Sequence, residues 1–440
     1  MNSLISKIIT AYLGNPFWIK SRILQRKISD EIIDALNKDN FKSNFKHLIQ
    51  LEDDILTIQF LLSLGHWYVL KSQKKKYKLP FDVIPREYFE HQNLVPHIKK
   101  CNNLCLAAKR VFDKLDAVVG ISEDIQKVKY ETWSACFGKT LYESYCFPKL
   151  VRQHNILFIG ESGTGKELFS QAALSGDFGK DKFEKGPVIS VNLAALNNQT
   201  IESELFGHTK GAFTGAINNR NGAIFSAHNG SIFLDEIGDI PKRTQVKILR
   251  AIESKKIRPV GSDNEIEANP RYISATNQNI EDEAVFRPEL LQRVSGSRIV
   301  IPPLRDHTKD IKYIGDYFIN DLKGGENAEF LDEEEYDQFI DQLSTLKYDW
   351  PGNVRELLNQ LRAFLLGLPT MLNTGSKTSI NRIDSSEYVI PHEIRTNNWT
   401  INEVQNWYFN KVFQQSNRNF TQAANILGVN RTTVTRVLNK

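Results

Sequence analysis

The sequence predicts an α/β fold, a parallel-sheet core with helices before and after it, and three observations carry that prediction. Four apolar runs, "NILFIG", "PVISVN", "SIFLDEI" and "RYISATN", recur between helical stretches over residues 118–303, the alternation expected of a parallel sheet. The first run opens directly into Gly160-x4-Gly165-Lys166, a glycine-rich turn between a strand and a helix. On either side the apolar period turns helical. In "ISDEIIDALNKD" it puts Ile28, Ile32, Ile33 and Leu36 on one face.

Each element then takes its place in order. Residues 1–115 form a mostly helical N-terminal domain, and "KSQKKKYKLP" within it reads as a solvated basic loop. Residues 116–303 hold the α/β core, 304–368 a helical lid, and 369–395 a polar linker rich in Ser, Thr and Asn. Residues 396–440 form a short helical module. The 440 residues, 41% hydrophobic and 25% charged, are an ordinary globular balance with room for several cores. The densest apolar run, "FLLSLGHWYVL", is too short to span a bilayer. No secretory signal is read at the N-terminus, and Cys101, Cys105, Cys136 and Cys146 lack paired-CxxC spacing. Reduced thiols and a cytoplasmic location are the expectation.

Charge divides the chain. Residues 1–115 carry 19 basic and 11 acidic side chains, residues 396–440 carry 5 and 1, and the stretch between is net acidic. A small basic module at the end invites a nucleic-acid reading.

The loop Gly160, Glu161, Ser162, Gly163, Thr164, Gly165, Lys166 is expected to cradle phosphates. Its glycines allow close backbone approach, its lysine reaches the outer phosphates, and the following helix adds its dipole. Glu167 stands where the general pattern has a Ser or Thr that ligates magnesium. Downstream, "GSIFLDEIGD" ends a buried-type strand in Asp235-Glu236. One carboxylate there can sit beside a metal and the next beside an attacking water, which points to ATP hydrolysis with Mg2+ rather than binding alone. Thr276 and Asn277 end another strand as polar sensors. Arg287, Arg293 and Arg355 are forked cations able to reach a phosphate, although isolated arginines usually form surface ion pairs.

The stretch "ELFGHTKGAFTGA" sets Phe213-Thr214 between Gly211-Ala212 and Gly215-Ala216. Taken alone it would be a turn-rich excursion with a buried Phe213.

With "GESGTGKE", "GSIFLDEIGDIP", "ATN", "FRPELLQR", "PPLR" and "WPGNVREL" in the same order, the sequence resembles the sigma-54-dependent transcriptional activators, bacterial enhancer-binding proteins of the AAA+ ATPase class. The resemblance covers roughly 118–368 and the C-terminal module. It implies that Glu167 is usual after the loop lysine. It also implies that Gly211, Ala212, Phe213, Thr214, Gly215 and Ala216 form a loop touching sigma-54, the glycines letting it swing. Asn192 would hold the glutamate at 236 until that loop is engaged. Arg287 and Arg293 would complete a neighbouring subunit's site in a ring, usually a hexamer, and Arg355 would sense nucleotide from the lid. The partners implied are the sigma-54 RNA polymerase holoenzyme, enhancer DNA and further copies of the chain. Residues 1–115 depart from the common phosphoreceiver pattern, because "LEDD" flows into a helical run. They leave the signal open. The extension "WSACFGKTLYESYCFPKLVRQ" is either an elongated helix and loop or the means by which the N-terminal domain grips the ATPase.

"NRNFTQAANILGVNRTTVTRVLNK" reads as two short helices about Gly428. Ala423 and Ala424 allow close packing, with Ile426, Leu427, Val434, Val437 and Leu438 as apolar contacts. Asn430 caps a second helix presenting Arg431, Thr432, Thr433, Thr435 and Arg436, residue types suited to phosphates and base edges. It resembles the Fis-type helix-turn-helix. Two other readings are a repressor using the AAA+ domain as an oligomerisation switch, and a remodelling ATPase for another partner.

Overall fold

The computed structural model describes residues 3–25, 28, 54–71, 95–177, 186–197, 200–323, 333–372, 400–416, 419–427, 429 and 431–438. The apolar face expected of Ile32, Ile33 and Leu36, the basic loop after Lys71, Gly428 and Asn430 lie outside the described residues. Two compact units result, Met1–Thr370 and Met371–Lys440. No helix among the described residues is long and apolar enough to cross a membrane.

The first unit begins with helices α1 (Ser3–Tyr12), α2 (Asp54–Lys71), α3 (Val95–Asp116), α4 (Glu123–Phe137), α5 (Leu141–Cys146) and α6 (Pro148–Gln153). Next come strand β1 (Ile156–Ile159), helix α7 (Lys166–Ser175), β2 (Val188–Asn192) and α8 (Ile201–Phe206). A small ribbon, β3 (Gly207–His208) and β4 (Arg220–Asn221), precedes α9 (Ala223–Ser226) and β5 (Ser231–Asp235). Helix α10 (Lys242–Ser254) leads through β6 (Lys256–Ile257) and β7 (Ile266–Glu267) to β8 (Arg271–Thr276), α11 (Pro288–Val294) and β9 (Ser297–Val300). The lid is α12 (Asp310–Lys323), α13 (Glu333–Thr345) and α14 (Asn353–Leu365).

Five strands form one sheet in the order β2-β5-β8-β1-β9, every pairing parallel. The crossovers therefore put the carboxyl ends of β1, β5 and β8 along one edge, where α/β folds bind their ligands. Side chains alternate across the sheet. Ile156 and Phe158 join a core with α3, α4 and α7, and Leu157, Ile232 and Leu234 join a second core with α8 and α10. The sequence reading found four of these strands. The fifth, β9, is a short edge strand in which polar Ser297 and Arg298 leave only Ile299 and Val300 as apolar residues.

The N-terminal helices share the first core. Ile5, Leu61 and Leu104 belong to the same buried cluster as Phe158 of the sheet. The extension after residue 132 meets the N-terminal segment through Ser134 and Leu141. Asn15 Nδ2 donates to Tyr130 O (2.9 Å) and Ser134 Oγ (3.0 Å), and Leu141 N–H donates to Leu13 O (3.0 Å). Trp133 is fully buried, with its ring 5.3 Å from and nearly parallel to that of His66. Cys101, Cys105 and Cys136 are buried free thiols and Cys146 is an exposed one.

The second unit is α15 (Ile401–Gln415), α16 (Phe420–Leu427) and α17 (Arg431–Leu438). Thr400 and Glu403 make a reciprocal capping box at the start of α15. Phe409, Val412, Ala423, Ala424 and Val434 are its core, with Leu427, Val437 and Leu438 packed against it. Ile426 is a correction: it is 64% exposed, not a core contact. It lies two positions on from Ala424, about 200° round the helix.

His66 Nδ1 bonds to Tyr12 O at 2.7 Å, while its Nε2 has no partner among the described residues. Burial lowers its pKa from 6.5 to about 4, only partly opposed by that bond. The unfolded ring takes a proton near 6.5 and the folded one resists until about 4. Stability is therefore whole above pH 6.5 and falls as pH drops through this window, by about 3 kcal/mol in all. Urea midpoints between pH 7 and 4.5 should fall steeply for the wild type and less for His66→Phe.

Candidate active site

The phosphate loop is built by its glycines and its helix. Gly163 (φ 81°) and Gly165 (φ 95°) take left-handed conformations that only glycine adopts freely. Helix α7 starts after Gly165 with no side-chain cap, which leaves its first N–H groups for an anion. Lys166 is 7% exposed, and its Nζ donates to Gly160 O (2.8 Å) and Glu161 O (3.2 Å). It also stands 3.6 Å from a Glu236 carboxylate oxygen. The loop opens on a cavity of about 670 Å³ that Asp235, Glu236 and Arg355 also line, with Val119, Ile314 and Leu358 on its apolar side.

Strand register arranges the acids. Asn192 pairs with Asp235 across β2 and β5, and its Nδ2 lies 3.5 Å from Asp235 Oδ2, at the outer limit of a hydrogen bond. Glu236 turns out of the strand with φ 52°. Its carboxylate accepts the Asn277 N–H at 3.0 Å and faces Lys166. The side-chain contact of Asn192 is thus with Asp235, because the two are level in the sheet and Glu236 is one residue further on. Burial raises the Asp235 pKa, against the Glu236 N–H and the Lys166 charge, which lower it. Thr276 is buried and its hydroxyl oxygen accepts the Gln278 N–H at 3.1 Å. Asn277 is exposed and serves Glu236 through its backbone.

The lid grips the loop through residues that the sequence reading left aside. Arg305 forks onto Glu161 with contacts of 2.9 and 2.6 Å, which lowers the Glu161 pKa, helped by Asn353. Asn353 is fully buried at φ 51°. Its Nδ2 donates to Ser162 O (3.0 Å) and Glu161 Oε2 (3.2 Å), and its Oδ1 accepts the Leu304 N–H (2.8 Å). Arg355 Nη1 reaches Ser162 Oγ at 3.1 Å. Arg305 and Asn353 stand inside the stretches "PPLR" and "WPGN", where the local pattern does not reveal their partners. Glu167 accepts a hydrogen bond from Gln171 one turn along α7.

The Phe213 loop rises from the β3–β4 ribbon. Gly211 N–H donates to Ala216 O (2.8 Å) and Ala216 N–H to Phe213 O (3.0 Å), closing a tight tip. Gly211 and Gly215 have φ 83° and 100°, so the turn itself demands glycine. Phe213 is 44% exposed, its ring edge-on to His208, and is not a buried core residue. A second loop braces the first: Thr209 N–H donates to Val260 O (3.0 Å), and Val260 N–H to Gly207 O (2.9 Å).

Residues 148–300 match the family described as the Sigma-54 interaction domain. That match covers about a third of the chain. It is similar to the transcriptional regulatory protein GlrR of Escherichia coli K12, 33% identical over 303 residues, 66% of this chain and 64% of that protein. It is also similar to the DNA-binding transcriptional regulator NtrC of Azospirillum brasilense, 40% identical over 211 residues, 47% of this chain and 42% of that one. The chain therefore spans less than two thirds of these relatives. NtrX from Brucella abortus in complex with ADP is a solved structure similar at a TM-score of 0.47 and 23% identity, over 79% of this chain and 74% of that one.

Within the sigma-54 interaction domain, Arg287 and Arg293 lie apart from the cavity that Lys166 lines. Arg287 pairs with Glu289 at 3.6 Å and Arg293 with Glu253 at 3.0 Å. Outside it, Arg431, Thr432 and Arg436 are exposed on α17, and Thr433 and Thr435 are partly so.

Removing the Asn353 amide leaves buried groups of loop and lid unpaired and puts a less tolerant residue at positive φ. Asn353→Ala is expected to cost on the order of 3 kcal/mol, read as a lowered thermal midpoint together with weaker nucleotide binding.

Proposed function

We propose that this chain is a ring-forming ATPase that activates sigma-54-dependent transcription from enhancer DNA. The observation that carries the reading is a convergence. Lys166, Asp235 and Glu236 meet at one cavity under an uncapped helix, in the same domain that holds an exposed Phe213 on a glycine-flanked loop.

In the proposed reaction the phosphates of ATP lie along the loop N–H groups and the Lys166 ammonium, and Arg355 contacts them from the lid. Asp235 presents a carboxylate to the same cavity, a hard oxygen donor that together with phosphate oxygens suits Mg2+. When bound, the ion would neutralise charge on the transferring group. Glu236 takes the proton of the attacking water, held in place by the Asn277 N–H. Arg287 and Arg293 act in trans on a neighbouring copy, which fits their distance from their own cavity. Asn192, level with Asp235, relays the state of the site toward the Phe213 loop. Gly211, Ala212, Phe213, Thr214, Gly215 and Ala216 make the contact with sigma-54, and hydrolysis remodels the closed polymerase complex. The helices of residues 396–440 dock on enhancer DNA through Arg431, Thr432, Thr433, Thr435 and Arg436, with Asn430 as helix cap. Action in the cytoplasm follows from that task.

Glu236→Gln should still bind ATP but lose turnover by about 10²–10⁴-fold. Turnover at the wild-type rate in that variant would remove Glu236 as the base. Thr214→Ala should keep hydrolysis and lose activation of a sigma-54 reporter promoter, and retained activation would separate the loop from sigma-54.

A further inference from the structure

Helix α7 carries the phosphate loop at its first turn, so whatever fixes its far end also fixes Gly165 and Lys166. An α-helix leaves its last four carbonyls without intrahelical partners. In α7 three of them are satisfied locally. Ala172 O accepts the Ser175 hydroxyl (2.6 Å), Ala173 O the Gly176 N–H (3.2 Å) and Leu174 O the Asp177 N–H (3.2 Å). The fourth, Ser175 O, is bonded from outside the helix by Arg110 Nε at 2.7 Å. The same guanidinium reaches Asp177 O through Nη2 at 3.1 Å. Helix α7 has no basic residue in its own last turn. Arg110 therefore also supplies the cation that the helix dipole favours at that end.

Arg110 belongs to α3, and α3 meets the nucleotide cavity a second time. Ala117, Val118 and Val119, immediately after α3, line that cavity. The two helices run in direct contact. A Cβ on Gly176 would come within 2.7 Å of Val111 Cγ2, so only glycine lets α3 approach so closely. The opposite side of α3 packs on α2, where the Cys105 thiol points to Leu62 O at 3.6 Å. One rigid helix thus joins the N-terminal helices, the wall of the cavity and the far end of the phosphate-loop helix.

We infer that Arg110 of α3 is a positioning residue for the nucleotide site, acting through the carboxyl end of α7. The inference rests on the reading of the cavity as an ATP site. The cap holds α7 along its axis, so losing it displaces the loop N–H groups and Lys166 from the phosphates. Asp235 and Glu236 stand on and after β5, not on α7, and their alignment is untouched. The effect should therefore fall on nucleotide affinity and KM, with little change in kcat.

The test uses the full-length chain, with equilibrium binding of the non-hydrolysable analogue AMP-PNP and steady-state ATP hydrolysis. Arg110→Ala is expected to raise both the AMP-PNP Kd and the KM for ATP about tenfold, with kcat within about twofold. Arg110→Lys keeps a cation and one donor and should recover part of the loss. Lys114→Ala, an exposed charge on the same helix, should bind as wild type. An unchanged Kd in folded Arg110→Ala overturns the inference. So does a fall in kcat that tracks the folded fraction with KM unchanged, the signature of a merely structural role. If Arg110→Ala does not fold, Arg110→Lys decides alone, an intermediate Kd supporting the inference and a wild-type Kd overturning it. Failure of the wild type to bind AMP-PNP would instead sink the ATP reading, before any variant is made.

Discussion

The architecture depends on how closely the lid turn approaches the phosphate loop. At Gly163 no side chain fits: a Cβ would collide with the carbonyl of Gly352. Val354 N–H bonds to Gly163 O at 3.1 Å, and Asn353 spans to Ser162 and Leu304. The loop is thus clamped between the sheet edge and the lid, its φ values fixed by glycine and its carbonyls already used. Among the described residues no side chain caps the N–H groups at the start of α7, a site shaped for an anion.

That clamp explains why charge is spent as it is around the site. Lys166 is buried among carbonyls with one carboxylate nearby, so its ammonium is held and aimed rather than neutralised. Glu161 and Arg305 are partly exposed. Their ion pair adds little to stability at that exposure, but its forked geometry fixes the angle between loop and lid. Buried polar groups carry the structural weight and exposed ones carry orientation.

The same logic reaches the N-terminal helices. They are not a body set apart from the sheet, because Trp133 and Phe137 of α4 and Ala172 of α7 share one core with Leu61 and Leu104. The N-terminal helices are therefore packed on the helix that carries the phosphate loop. A change in their packing can reach α7 without a long relay.

The sequence by itself determined the alternating strands and helices, the glycine-lysine loop, the Asp235-Glu236 strand end and the Phe213 loop. Each is a local pattern: period two against period 3.6, a positive φ that only glycine accepts, an acidic pair where a buried strand meets water. Tertiary structure alone decided the partners. Asn353 and Arg305 lie far along the chain from Glu161, and Arg110 is 65 residues from Ser175. No periodicity records such distances. Strand β9 escaped for a local reason, since only Ile299 and Val300 of its four residues are apolar. Ile426 was misassigned because composition gives a helix its apolar content, while only packing chooses which side faces inward. Local sequence fixes backbone conformation through sterics. Long-range contacts depend on which surfaces the folded chain brings together, and that geometry exists only once the sheet order is set.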